Sequence, residues 1–168
     1  MRHEKTDFIS GLPLRIYLRA VEQYPYHWHD TLEIILVLEG TVGIVIGDQE
    51  LRLCENDIAI INLGELHRII KNQDKNKILF IQIDPDFYKN ILPDNGYIFI
   101  YCCATYHEAH APEKYKKLRE YISSLVNAFI ENSHKCDRNN IAKDLSGKSI
   151  RRGHNISIVC FLFVNILI

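Results

Sequence analysis

The stretch PYHWHDTLEIILVLEG, Pro25 to Gly40, decides how this chain folds. It opens on two histidines one residue apart, His27 and His29, and a carboxylate follows at Glu33. It closes in a β-branched run stopped by glycine. Residues two apart on an extended strand face the same side. His27, His29 and Glu33 share that parity, so three groups able to hold a metal or a polar ligand are expected to look one way. Trp28 has the opposite parity and is expected to point outward, as an apolar plug on the outer layer.

The surrounding chain reads as short strands broken by turn signals. LRIYLRAV alternates, with Leu14, Ile16, Leu18 and Ala20 on one face. TVGIVI leads to Gly47-Asp48, a two-residue hairpin turn, and QELRLCEN alternates again. DIAIIN runs to the Gly64-Glu65 turn, and HRIIK, ILFIQID and YIFIYCC supply later strands. Short strands at near-regular spacing, without helices between them, predict an antiparallel sandwich or barrel. Gln82 on the later strands is a further candidate to line its pocket.

After Pro112 the pattern changes. Tyr115, Leu118, Ile122, Leu125 and Phe129 step by three and four, which is one apolar stripe on a helix begun by proline. Two readings fit the stripe. It packs on its own barrel, or Leu118, Ile122, Leu125 and Phe129 form a dimer seam. The following HKCDRNNIAKDLSGKSIRRGHN is polar and net basic and reads as a solvated loop. The apolar run Ile156–Ile168 is too short to span a bilayer, which needs about 20 residues. It stops at the terminus without a cap, as in a chain cut inside a larger protein.

The 168 residues carry 20 Lys+Arg against 21 Asp+Glu, a net charge of −1 that excludes a general basic footprint for nucleic acid. The five cysteines form no CxxC, and the N-terminus MRHEKTDF is polar, which reads as a reduced cytoplasmic setting. Cys102-Cys103 with His107 and His110 match no zinc spacing and read as packed thiols. Met1 to Gly11 is a polar arm. Its expected state is frayed, the alternative being that it folds over the pocket.

His27, His29, Glu33 and Gly40 stand at spacings that resemble the first signature of the cupin superfamily. NDIAIINLGELHRII resembles the second, with Gly64 three residues before His67. Asn56 stands where that pattern has glycine, Asn62 where it has proline, and Val21 and Lys71 also depart from it. The resemblance implies a double-stranded β-helix, or jelly-roll barrel. In metal-binding cupins the matching positions are ligands: here His27, His29, Glu33 and His67, a set suited to a divalent transition metal. Leu12 to Ser133 is more closely similar to the N-terminal sensor domain of AraC-family transcription regulators. That similarity implies an effector-binding cupin barrel over 12–111, helices over 112–168 that form a homodimer, and DNA contact only through a C-terminal helix-turn-helix part absent here. The effector would be a small polar metabolite such as a sugar. The pocket would be lined by His27, His29, Glu33, His67 and Gln82. The rival expectation is a metal-dependent cupin enzyme of isomerase or oxygenase type. Glu65 and Glu39 would be its acid or base candidates by residue type alone.

Overall fold

Two β-sheets form face to face from strands that the alternating pattern had largely marked out. The computed structural model describes residues 1–8, 13–71, 75–86 and 112–146, and within the last segment side chains 113–131. The strands are β1 (Arg2–His3), β2 (Leu14–Arg19), β3 (Tyr24–Trp28), β4 (Leu32–Glu39), β5 (Val42–Ile46), β6 (Gln49–Leu53), β7 (Ile58–Ile61), β8 (His67–Ile69) and β9 (Lys77–Ile83). One sheet has the order β1-β3-β8-β5-β6 and the other β2-β9-β4-β7. Apart from β1 on β3, every pairing among the described residues is antiparallel. Ile35, Val37, Ala59, Ile61, Ile78 and Phe80 of the second sheet pack with Val42, Ile44, Leu53 and Ile69 of the first, which closes a jelly-roll barrel around one core.

Both faces of the second sheet are apolar. Ile34, Ile58, Ile60, Leu79, Ile81 and Ile83 point away from that core and are buried as well. Its strands therefore read as continuous apolar runs rather than as clean alternation. Strand β2 is set the other way round from a simple amphipathic reading. Arg15 and Tyr17 face Gln82 and Phe80 inside the barrel, whereas Leu18 on the opposite face is 54% exposed.

The arm is not frayed in its first residues. Arg2 and His3 pair with His27 and Trp28, and the Glu4 amide donates to the Trp28 carbonyl at 2.9 Å. The His3 ring packs on Trp28 and its Nε2 lies 2.9 Å from Asp30. The reason is the open edge of β3, whose unpaired backbone groups the arm satisfies.

Asn56 adopts a left-handed backbone, with φ 71°, as the departure from glycine there requires. Buried Asn76 ties two loops together by donating to the Val21 and Thr41 carbonyls and accepting from the Val21 amide.

The chain divides into two compact units, Met1–Pro112 and Glu113–Ile168. In the second, helix α1 runs Pro112–Ser146, into the 134–155 stretch expected to be loop. No proline or glycine interrupts the chain until Gly147, so polar composition alone does not end the helix. Tyr115, Leu118, Ile122 and Leu125 are buried within the single chain, and Phe129 is half-buried. No helix among the described residues is long and apolar enough to cross a membrane. The YIFIYCC strand, the Cys102–His110 cluster and the apolar tail lie outside the described residues.

Candidate ligand and metal site

Three imidazoles and one carboxylate meet inside the barrel, and they come from both sheets. His27 lies in β3, His67 pairs with it from β8, and their ring centroids are 4.0 Å apart. His29 follows the end of β3, where the chain crosses to the opposite sheet through Asp30 and Thr31. Glu33 is the second residue of β4 in that sheet. The turn before β8 is pinned by two bonds, Gly64 N–H to the His29 carbonyl and Asn62 N–H to Glu65, and these fix His67 against the others. Glu65 is therefore occupied as a turn partner for Asn62, and Glu39 is paired with Lys77 on the surface.

Each ring is oriented by its Nδ1, which donates to a backbone carbonyl: His27 to Pro25 at 3.0 Å, His29 to Thr31 at 3.0 Å, and His67 to Glu65 at 2.9 Å. A neutral imidazole has one N–H, so this network leaves the lone pair on each Nε2. The three Nε2 or Nδ1 ligand atoms lie within 4.8 Å of one another. Among the described residues, His29 Nε2 and His67 Nε2 are buried without a hydrogen-bond partner. They stand 3.5 Å and 3.6 Å from the same oxygen of Glu33, too far for a charge-assisted hydrogen bond. Lone pairs from two rings and a carboxylate thus face one another, with both ring nitrogens buried. A cation there, whether a proton on a ring or a metal ion, removes the conflict.

The electrostatics agree. Burial alone raises the pKa of the Glu33 carboxyl, but the close approach of His29 and His67 outweighs it and holds the group well below the usual carboxylate range. Burial pushes His29 toward neutrality, and adjacent Glu33 more than reverses this. Burial, followed by the charge of His67, lowers the pKa of His27.

The donor set fits a divalent transition metal. Two ligands bonded to one ion at about 2.1 Å stand roughly 3.0–3.4 Å apart, close to the His–Glu33 separations. Each imidazole already has its second nitrogen held, which is the usual outer support of a metal ligand.

A cavity of about 60 Å³ adjoins the cluster. His27, Glu33, His67 and Gln82 line one part of it. Glu4, Arg15, Tyr17, Arg19 and Tyr24 line another. His29 is placed behind these, fully buried. Gln82 donates to Glu33 Oε1 at 2.8 Å and accepts from Arg15 at 3.3 Å, so one rung across β2, β9 and β4 joins guanidinium, amide and carboxylate. The Tyr24 hydroxyl donates to Glu4 at 2.6 Å. Sequence reasoning missed this second group. The signal was the parity of Arg15, Tyr17 and Arg19. Tyr24 carried no usable signal, because a register shift between it and His27 turns both inward.

Residues 15–142 match the family described as AraC-like ligand binding domain. Over 82 residues the chain is 27% identical to the uncharacterized HTH-type transcriptional regulator YdeC of Bacillus subtilis, covering 45% of this chain and 28% of that protein. The chain therefore matches less than a third of that relative's length. A cupin-2 domain protein of Shewanella frigidimarina is similar at 28% identity and a TM-score of 0.40, over 45% of this chain and 74% of that one. The plu4264 protein of Photorhabdus luminescens is similar at 26% identity and a TM-score of 0.41, over 46% and 70%.

Proposed function

Because this chain belongs to the AraC-like ligand binding domain family, we propose that its barrel is the effector sensor of a cytoplasmic transcription regulator. The observation that carries this reading is the small cavity inside the barrel, where charged and polar side chains converge beside an apolar wall of Val21, Ile35, Ile69 and Phe80, with five strands and the N-terminal arm contributing. A mostly apolar recess into which a few polar groups converge is the usual form of a small-molecule site. Occupancy passes to the rest of the protein only if the ligand binds two states of the chain unequally. The arm, whose Glu4 lines the cavity, is one element able to differ between such states. DNA reading is assigned to the remainder of such a regulator.

The test is a panel of small polar metabolites, sugars and organic acids among them, followed by thermal melting and by imidazole NMR signals. A true effector at a hundred times its Kd is expected to add about 2.7 kcal/mol of stability and to shift the signals of His27 and His67. No hit across the panel, with the histidine signals unmoved, sinks the sensor reading.

Self-association through the helical unit is part of the same proposal. The stripe residues Leu118, Ile122 and Leu125 are already buried within one chain, so Leu125→Glu would strain its internal packing as well as any seam. The cleaner measurement is sedimentation of the wild type across concentrations. A dimer at tens of micromolar is expected, and a monomer throughout that range rejects it.

A second reading is favoured by the two orphaned Nε2 atoms. His27, His29, Glu33 and His67 would hold a divalent transition metal, which supplies Lewis acidity when bound. In that setting Gln82 orients Glu33, and the carbonyls of Pro25, Thr31 and Glu65 orient the rings. The site would serve either a metal-assisted sensor or a cupin enzyme of isomerase or oxygenase type. Glu65 and Glu39, held in their own contacts, contribute no acid or base to it.

A further inference from the structure

The inference drawn here rests on the sensor reading and names the class of its ligand. We propose that the cavity takes a small carboxylate of two or three carbons, with its acid group docked on Arg15 and its other end toward His27 and His67.

Arg15 is half-buried and lines the cavity. Its hydrogen bond to Gln82 is long, 3.3 Å, and goes to a neutral amide oxygen. A guanidinium has five N–H donors, so among the described residues most remain to be used. Arg19 lines the same cavity. The Arg15 and Arg19 guanidinium carbons lie 4.8 Å and 5.4 Å from the centre of one ring, that of Tyr17. Two like charges are thereby gathered about one aromatic ring. Among the described residues neither is within ion-pair distance of a carboxylate. The two acids that reach the cavity are committed elsewhere: Glu33 to the imidazoles and Gln82, and Glu4 to the Tyr24 hydroxyl. The missing partner is an anion, and a planar carboxylate matches the guanidinium fork. Burial holds the Tyr17 hydroxyl protonated far above neutral pH, so it adds an O–H donor and no competing charge.

Size narrows the class. A water needs about 10–15 Å³ of such space, so about 60 Å³ admits roughly four to six non-hydrogen atoms. Acetate, glycolate and pyruvate fall in that range, whereas a hexose does not.

The experiment compares glycolate and pyruvate with glycolamide and glycerol by calorimetry, on the full chain, both metal-free and after zinc or manganese loading. The acids are expected to bind at least tenfold tighter than the neutral compounds. Arg15→Met is expected to abolish that preference. Arg15→Lys, which keeps charge but not the fork, is expected to retain part of it. Glu4→Gln, which removes a negative charge from the cavity, is expected to tighten acid binding. Melting curves check that each variant is folded. If Arg15→Met fails to fold, the Arg15→Lys and Glu4→Gln comparisons decide. Equal binding of amide and acid, or unchanged acid binding in Arg15→Met or in both remaining variants, overturns the inference. A neutral compound that binds tightly and moves the His27 and His67 signals also overturns it, yet leaves the barrel standing as a sensor.

Discussion

His67→Ala is expected to lower the affinity for zinc or manganese by on the order of a hundredfold or more. The substitution removes one of two buried Nε2 atoms that face Glu33 with no hydrogen-bond partner. It also opens the side of the cluster where His67 packs on His27. His29→Ala should match it, because His29 approaches the same carboxylate oxygen. Cys54→Ser, at an exposed free thiol, serves as the control and should leave metal content unchanged. Saturation of the wild type at a hundred times Kd would add about 2.7 kcal/mol, and a chelator should remove it. For a chain of this size that is a melting shift of roughly 5–10 °C. Metal content after reconstitution and dialysis is the direct measurement. A wild type that retains no stoichiometric metal refutes the metal site and leaves a proton on the His29 ring, beside Glu33, as the cation. Asn62 would be a poor control, since it is buried and bonded to Glu65, whose carbonyl orients His67.

Gly40→Ala is expected to destabilise the barrel by roughly 3 kcal/mol or more. Gly40 closes the run that begins at Leu32 and turns the chain from β4 into β5. Its φ is +76°, where a side chain is strained, and an added Cβ would sit 2.2 Å from the Lys75 carbonyl oxygen. That obstacle is backbone, held beside Asn76 and its three loop-tying hydrogen bonds, and it cannot swing aside. Gly47→Ala isolates the conformational part. Gly47 has φ +59° in the β5–β6 turn, but nothing lies within 4 Å of the added atom. Its cost should be about 1–2 kcal/mol. Denaturant midpoints for the two variants give the comparison. Equal losses would mean that the close approach at Lys75 carries no cost.

Most of the barrel was legible because its strands are short, β-rich and punctuated. Gly47-Asp48 joins β5 to β6 in register, Ile46 opposite Gln49, as a two-residue hairpin demands. Asn56 with its left-handed backbone shows why a departure from glycine was tolerable. The four residues that cluster, His27, His29, Glu33 and His67, were also legible, though not for the reason their spacing first suggests. Parity would place His27, His29 and Glu33 on one strand. In the structure they occupy a strand, the crossing after it, and a strand of the facing sheet.

The sequence by itself determined the strand pattern, the turns, the apolar core positions and the identity of the polar residues too costly to bury without a partner. Those are local properties: each depends on a residue and on neighbours a few positions away. Only the tertiary structure decided which face of β2 looks inward, that the arm seals the edge of β3, and that Arg15, Gln82 and Glu33 share one rung. Those facts depend on pairings such as Leu14 with Ile83 and Arg2 with His27, which join distant parts of the chain. A strand's alternation names two faces. Where both faces of the sheet it joins are buried, the choice between them is made by the partners it meets when the barrel closes.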